Sequence, residues 1–342
     1  MKNIINKIIN SLNNTINKKS TKIVFSDSNY QAIALNKNYF NKIKDSKSNK
    51  KIAFIDGGNA SIIETSNFTV QFIRLYAVIY QSNKKIKSIK HEFFILAQIT
   101  SSNKLIFSSK IFPLDNNISL NERDLEFDFL DKTLRNKEEP AKITSIANCA
   151  RRFGELLLAK KVIEELNEND ILILDGTLQS KVTNEKKYFD VLFNEASKNK
   201  VIVASLSKKT QLITDSGDSA AIALANLTNL NSWYYYPIAK STNSIEIFIT
   251  KLHKLSKYIF RFELYKSQNN KDSNVAEIFS LLALNSKDPV FFGYPYGLVD
   301  ADKNARVSNN EKQYLKTIFS SKVDLSKYET TLNAHHVLDN IR

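Results

Sequence analysis

Two aspartates of this 342-residue chain stand in the same setting, and that setting suggests chemistry. Lys51-Ile-Ala-Phe-Ile-Asp-Gly-Gly-Asn59 is an apolar run that delivers Asp56 and then two glycines. Ile171-Leu-Ile-Leu-Asp-Gly-Thr177 repeats the arrangement around Asp175. Each reads as a buried strand that stops where a carboxylate projects from its end. Side by side in one sheet, two such strands bring Asp56 and Asp175 to a common edge. Carboxylates held together repel unless one is protonated or a cation bridges them. At neutral pH a divalent metal satisfies the pair, and oxygen ligands favour Mg2+ or Mn2+ over zinc.

A third acid lies on a helix. From about Ser145 to Leu166, Phe153, Leu156, Leu157, Ile163 and Leu166 form an apolar stripe at helical spacing, with Glu155 near its edge. The neighbours of Glu155 along the helix are Leu158, Ala159, Val162 and Leu166, so its charge is costly unless paired, hydrogen-bonded or bound to metal. One reading is a glutamate snorkelling from the helix rim, held by Arg151 one turn earlier. The other is a metal ligand. Spacing alone favours the rim.

The elements that must position these acids follow in order. Residues 1–20 space Ile4, Ile5, Ile8, Ile9, Leu12 and Ile16 as one face of an amphipathic helix, expected to pack on the body; a docking helix for a partner or membrane surface is the sharper alternative. The Asp56 strand leads into a hairpin, Phe68–Tyr80 and His91–Thr100, with Lys84, Lys85 and Lys87 in its turn. A short strand lies within 104–118, and Asn121–Arg135 reads as an acidic helix. After the Glu155 helix come the Asp175 strand, a helix at Glu185–Asn199 and a strand at Val201–Leu206. Three strands, then helix, strand, helix, strand, imply a mixed sheet with helices on its faces. The same order fits the ribonuclease H-like fold, whose acids end the first and fourth strands. Gly217 could hinge a segment beside the site. Further on, Trp233–Ile238, Ile245–Thr250 and Tyr258–Tyr265 read as strands and Asn274–Leu284 as a helix. Phe260, Phe262 and Tyr265, with Arg261 among them, could stack on bases, though core is the favoured reading. His91 and His253 are taken as structural. The chain thus divides into a helical and polar arm at 1–45 and a body at 46–342, with its core at about 50–206 and an insertion and C-terminal part at 207–342.

Composition excludes some classes. A single cysteine, Cys149, rules out a disulfide framework and a multi-thiolate zinc site. Residues 1–20 interleave Asn and Lys and do not read as a signal peptide. No apolar run approaches the ~18 residues that cross a membrane, and a reducing cytoplasm is the expected compartment. The net charge of +14 invites a polyanion. However, only 8 of the 49 basic residues are Arg, a skew that an AT-rich genome produces by itself, so charge supports nucleic acid without establishing it.

Taken together, Phe54-Ile-Asp-Gly-Gly58, Arg151-Arg-Phe-Gly-Glu155, Ile171–Thr177, Ser207-Lys208, Gly293-Tyr-Pro-Tyr-Gly-Leu-Val-Asp-Ala-Asp302 and Ala305-Arg306 resemble the NurA nuclease family, the partner of the HerA hexameric ATPase in prokaryotic DNA-end processing. Each motif alone is common; their order across about residues 50–340 is specific. Two departures stand out: Gly58-Asn59 where the family often has a serine and a basic residue, and Thr177 for a common serine. The resemblance implies an α/β, ribonuclease H-like mixed sheet flanked by helices, with further C-terminal strands and helices. It implies that Asp56 and Asp175 are paired metal ligands, with Asp56 bridging two Mn2+ or Mg2+ ions, and that Glu155 joins them. Lys208 would contact the scissile phosphate, and His335 or His336, with His335 preferred, would complete the set. Asp302 matches a recurrent acid of unassigned role. The implied activity is 5′-3′ exonuclease and single-strand endonuclease cleavage of DNA by a homodimer docked on a HerA-type ATPase, in double-strand-break end resection. An RNA-cleaving enzyme of the same fold and a non-catalytic, DNA-guiding subunit are the alternatives.

Overall fold

The strand that carries Asp56 runs well past it, as Lys51–Glu64, so the acid projects from a strand interior and not from a strand end as expected. In the computed structural model the described residues are 1–16, 20–45, 48–101, 103–115, 118–135, 137–208, 210–266 and 272–323. Helix α1 (Lys2–Ile16) precedes short strands β1 (Ile23–Val24), β2 (Tyr30–Ala32) and β3 (Phe40–Lys42). Three long strands follow, β4 (Lys51–Glu64), β5 (Phe68–Gln81) and β6 (Lys84–Ser101), then β7 (Leu105–Pro113) and β8 (Phe127–Asp128). Helix α2 (Thr144–Ile163), β9 (Ile171–Asp175), α3 (Glu185–Asn199) and β10 (Ile202–Ser207) alternate. Then come β11 (Ile213–Thr214), α4 (Ala220–Ala225), β12 (Trp233–Tyr235), β13 (Ala239–Ser241), β14 (Ile245–Lys251) and β15 (Phe260–Tyr265). Helices α5 (Asp272–Asn285), α6 (Tyr296–Ala305) and α7 (Asn309–Ser320) close the described chain.

The chain divides into two compact units, one of residues 1–49, 173–178 and 202–296, the other of 50–172, 179–201 and 297 onward. Strand β9 has its first two residues in the second unit and its last three in the first. In the second unit the strand order is β9-β4-β5-β6-β7-β8, an antiparallel meander from β4 onward. Helix α2 lies on β4, β5 and β6, and α3 lies on α2. That double cover explains why α2 is buried on much of its circumference, from Ile146 and Phe153 to Leu158 and Ile163. In the first unit the order is β3-β12-β14-β15-β10-β9, over a core that includes Ile23, Trp233, Tyr235 and Ile249. The protein is an α/β chain with a mixed sheet flanked by helices. Its meander β4-β5-β6, followed by β9 and β10, each entered from a helix, has the ribonuclease H-like order.

Three expectations need correction. The apolar face of α1 is not packed on the body: Ile4, Ile5, Ile8, Ile9 and Leu12 are all exposed. Residues 121–135 hold no α-helix. A single 3-10 turn at Glu122–Leu125 gives way to β8 and turns, because the side chains of Asn121, Asp128 and Asp131 accept the backbone N–H groups of Arg123, Leu130 and Thr133. Such local bonds compete with a helix. The lysines assigned to the hairpin turn lie in β6. The turn itself is Ser82-Asn83, both at positive φ (49° and 61°), as a tight hairpin needs. Phe260 and Phe262 are buried in the core.

Candidate metal and phosphodiester site

Successive strand residues face opposite sides of a sheet, and the pair Gly57-Gly58 shows what covers each side of β4. A Cβ on Gly57 would lie 2.6 Å from Glu155 Oε1 and 3.0 Å from Arg151 Cγ, both on α2. A Cβ on Gly58 would lie 2.3 Å from the Ala305 carbonyl oxygen on α6. Glycine persists in this strand interior because a helix touches the backbone from either side. Asp56 alternates with Gly57, so its side chain shares the face of Gly58 and α6.

On the α2 side, Glu155 is buried and clasped by two cations. Arg151 pairs with one carboxylate oxygen and donates to the Gly57 carbonyl at 3.1 Å; Arg152 reaches the other oxygen at 3.3 Å. Arg152 also pairs, at 3.0 Å, with buried Glu185, which accepts the Lys181 and Val182 N–H groups at the start of α3. The arginine anticipated one turn before Glu155 is present; the second is adjacent in sequence and reaches it at i,i+3.

On the α6 side, close approach is again set by glycine. A Cβ on Gly297 would lie 2.0 Å from the Phe54 ring, so α6 lies directly over β4 from Phe54 to Gly58. Its register is fixed by Asp300, which accepts from Tyr80 Oη and Lys85 Nζ, each at 3.0 Å, and from Asn304 Nδ2 at 2.7 Å. Lys85 Nζ is also 3.0 Å from the hydroxyl of Tyr76, the cross-strand partner of Asp56. Asp302 follows on α6, and one of its carboxylate oxygens lies within 4.8 Å of one from buried Asp56. Asp302 also accepts from exposed Arg306 at 2.8 Å, and Asp56 Oδ1 from the Gly57 N–H at 2.7 Å. Glu155 is not in this carboxylate set. The spacing of Tyr-Gly-Leu-Val-Asp-Ala-Asp contained the signal for Asp302: Leu298, Ala301 and Ala305 form the buried side of α6, with Asp302 beside them.

Asp175 ends β9 in the first unit. Lys208 Nζ is 2.6 Å from its Oδ2. Gly176, at φ 104°, turns the chain there, and its N–H donates to Leu206 at 3.2 Å. The next residues are anchored by Glu263, fully buried on β15. It accepts from Thr177 Oγ1 (2.9 Å) and Leu178 N–H (2.7 Å) and pairs with Arg261 (2.7 Å). Nothing about Glu263 in its apolar strand sequence singled it out.

Other titratable candidates do not join these groups. Burial pushes the Cys149 thiol up to about 12, so at neutral pH it is neither nucleophile nor ligand. His91 Nδ1 lies 2.9 Å from Asp115, and His253 stacks on Phe292. His335 and His336 lie outside the described residues. No described helix is long and apolar enough to cross a membrane.

The model of the NurA domain family matches residues 50–307. The crystal structure of the NurA nuclease from Sulfolobus solfataricus superposes with a TM-score of 0.55 at 16% identity, over 96% of this chain and 98% of that one. Endonuclease V of Ciona intestinalis, in complex with an inosine-containing DNA, gives 0.39 at 12% identity over 79% of this chain and 87% of that one. The catalytic domain of human endonuclease V gives 0.38 at 10% identity over 83% and 93%. No curated protein matches.

Proposed function

Because the chain belongs to the NurA family, we propose that it is a divalent-metal-dependent deoxyribonuclease with Asp56 at the centre of its site. The observation that carries this reading is the approach of the Asp56 and Asp302 carboxylates. Two carboxylates so placed offer a divalent cation an oxygen from each side of the β4–α6 contact. The donors are carboxylate oxygens, which fit a hard cation such as Mg2+ or Mn2+. We assign Asp175 to the same ligand set. Supporting this are the family resemblance and the matching settings of the two acids, each carried by an apolar strand and followed by glycine. Bound there, one or two such cations would supply Lewis acidity and a nucleophilic water for phosphodiester cleavage.

The chain's own residues have separable tasks in this reading. Asp56 is fixed by the closely covered strand, Asp302 by the Asp300 network that sets α6, and Asp175 by Gly176 and the Glu263 anchor. Lys208 neutralises Asp175 in the resting protein and would turn to a substrate phosphate when cation replaces it. Glu155, on α2 against Gly57 and so on the other face of β4, is the acid that family resemblance adds. Its recruitment as a ligand means exchanging an arginine partner for the cation. Family resemblance also supports Mn2+ use, a homodimer, 5′-3′ and single-strand cleavage, a HerA-type ATPase partner and a role in end resection. The C-terminal histidine, His335 or His336, belongs to the same extension.

The test is cleavage of 5′-labelled single- and double-stranded DNA, and of RNA, with Mn2+, Mg2+ or EDTA, by wild type and Asp56→Asn. The expected result is metal-dependent DNA cleavage that Asp56→Asn loses. Full cleavage by Asp56→Asn would sink the scheme. A silent wild type, with or without an added HerA-type ATPase, would favour a docking subunit.

A further inference from the structure

Two loops of the unit that holds Asp175 pack on each other and present rings and cations to solvent. They are residues 252–259, after β14, and 286–295, before α6. Gly293 locks them together: at φ 87°, it approaches Ser256 so closely that a Cβ would lie 2.4 Å away, and its N–H donates to the Ser286 carbonyl at 2.9 Å. Ser256 Oγ in turn accepts the Tyr258 N–H at 3.0 Å. The surface is therefore a built platform.

On that base His253 stacks flat on Phe292 (centroids 5.0 Å, 9°), and Tyr258 meets Phe291 edge-on (5.1 Å). Phe291 stacks on buried Tyr294 at 5.1 Å. Tyr258 is 55% exposed, with Leu255 and Val290 exposed beside it. Burial, with Lys254 and Lys287 nearby, holds the His253 imidazole below its usual pKa, so at neutral pH it offers a ring and not a charge. Lys254, Lys257 and Lys287 are exposed around the rings. Of the acids here, Asp288 caps the Val290 N–H at 2.9 Å, and exposed Asp45 reaches Lys287 at 3.1 Å. The line of rings ends beneath Lys208, whose Nζ stands 5.9 Å from the Tyr294 centroid and 2.6 Å from Asp175.

We propose that this surface is the platform along which single-stranded DNA reaches Asp175, with bases stacking on Tyr258 and the His253–Phe292 pair and phosphates following Lys254, Lys257 and Lys287. Ring faces can stack only on unpaired bases, and lysines spaced among rings are how sequence-tolerant single-strand grooves are made. The proposal rests on the nuclease reading for the direction of the path; binding to the platform does not depend on it.

The experiment measures anisotropy of fluorescein-labelled oligo(dT), oligo(rU) and a DNA hairpin duplex in EDTA, with wild type, Tyr258→Ala, Tyr258→Phe and Lys254→Ala/Lys257→Ala. Hydrolysis of bis(p-nitrophenyl) phosphate with Mn2+, a substrate too small to span the platform, is followed in parallel. Tyr258→Ala is expected to weaken oligo(dT) binding about tenfold, the loss of one stacked base, while Tyr258→Phe stays within about twofold. The double lysine variant should flatten the salt dependence by about one to two phosphate contacts. Duplex binding and small-ester hydrolysis should not respond to Tyr258→Ala. Wild-type oligo(dT) binding by Tyr258→Ala, an equal loss on the duplex, or tighter binding of oligo(rU) than oligo(dT) would overturn the platform. Failure of wild type to hydrolyse the small ester would count against the nuclease reading alone, because the binding series stands without it.

Discussion

The two faces of the β4 backbone at Gly57 and Gly58 treat acids in opposite ways. On the α2 face Glu155 is enclosed and its charge is met within the protein by Arg151 and Arg152. On the α6 face Asp56 and Asp302 stand together, and Asp302 pairs with Arg306, a largely exposed side chain one turn along the same helix. An exposed i,i+4 pair is worth a few tenths of a kcal/mol, whereas breaking a buried, doubly paired carboxylate costs several. Helices of similar closeness to the same strand thus enclose a doubly paired carboxylate on one side and bring two carboxylates together on the other.

Substitutions of the acids separate the faces most strongly. Asp56→Asn should reduce metal-dependent DNA cleavage at least about a hundredfold, as loss of a central ligand does. Asp302→Asn should lower cleavage and metal affinity by about 10–100-fold, with thermal stability within about 0.5 kcal/mol of wild type. Glu155→Gln should also lower cleavage but, unlike Asp302→Asn, lose about 1–3 kcal/mol of stability, because two guanidinium groups lose a charged partner. Urea denaturation beside cleavage assays decides the matter. Equal stability of the Asp302 and Glu155 variants would erase the distinction between the faces.

The two glycines sharpen the comparison. Gly58→Ala sets a methyl 2.3 Å from a backbone carbonyl of α6, so the helix must move and Asp302 with it. Gly57→Ala meets Glu155 and Arg151 side-chain atoms, which can swing aside at the cost of the clasp. Overpacking of this kind costs about 1–3 kcal/mol. Gly58→Ala should lie at the upper end of that range and lose Mn2+ affinity, measured by calorimetry; Gly57→Ala should lie lower and keep more of that affinity.

These glycines also mark where sequence reading stops. An apolar run followed by Asp-Gly-Gly has the local signature of a strand ending in a turn. The same glycines serve a strand interior when helices press on both faces, and that pressure comes from α2 and α6, remote in sequence. The order β4-β5-β6-α2-β9-α3-β10 was legible because each element carries its own periodicity. Asp302 was legible as an acid in a motif, but its approach to Asp56 depends on Gly297 accepting Phe54 and on Asp300 holding Tyr80 and Lys85, contacts no local pattern encodes. The exposed apolar face of α1 is the converse. Amphipathic spacing predicts a helix correctly yet says nothing about whether anything covers it.

The smallest expected effect lies at the start of α7, on the face of α6. Arg74 on β5 joins Glu92 on β6 and Glu311 on α7, and donates to the Arg306 carbonyl at 3.2 Å, where α6 ends. Burial acts to raise the Glu92 carboxyl, but hydrogen bonds from Arg74 and Lys90 outweigh it and hold the group below the usual glutamate range. A depressed folded pKa means the contribution to stability is complete above the unfolded value, about 4.3, and is lost as pH falls through the lower folded value. Wild type should therefore lose stability below about pH 4.3, and Glu92→Gln should lose less over that window while starting lower at pH 7. Chemical denaturation at pH 7 and along an acid series reads both quantities. Parallel acid profiles for the two proteins would mean that this cluster does not tie the end of α6 to the sheet, leaving Asp300 alone to hold Asp302 in register.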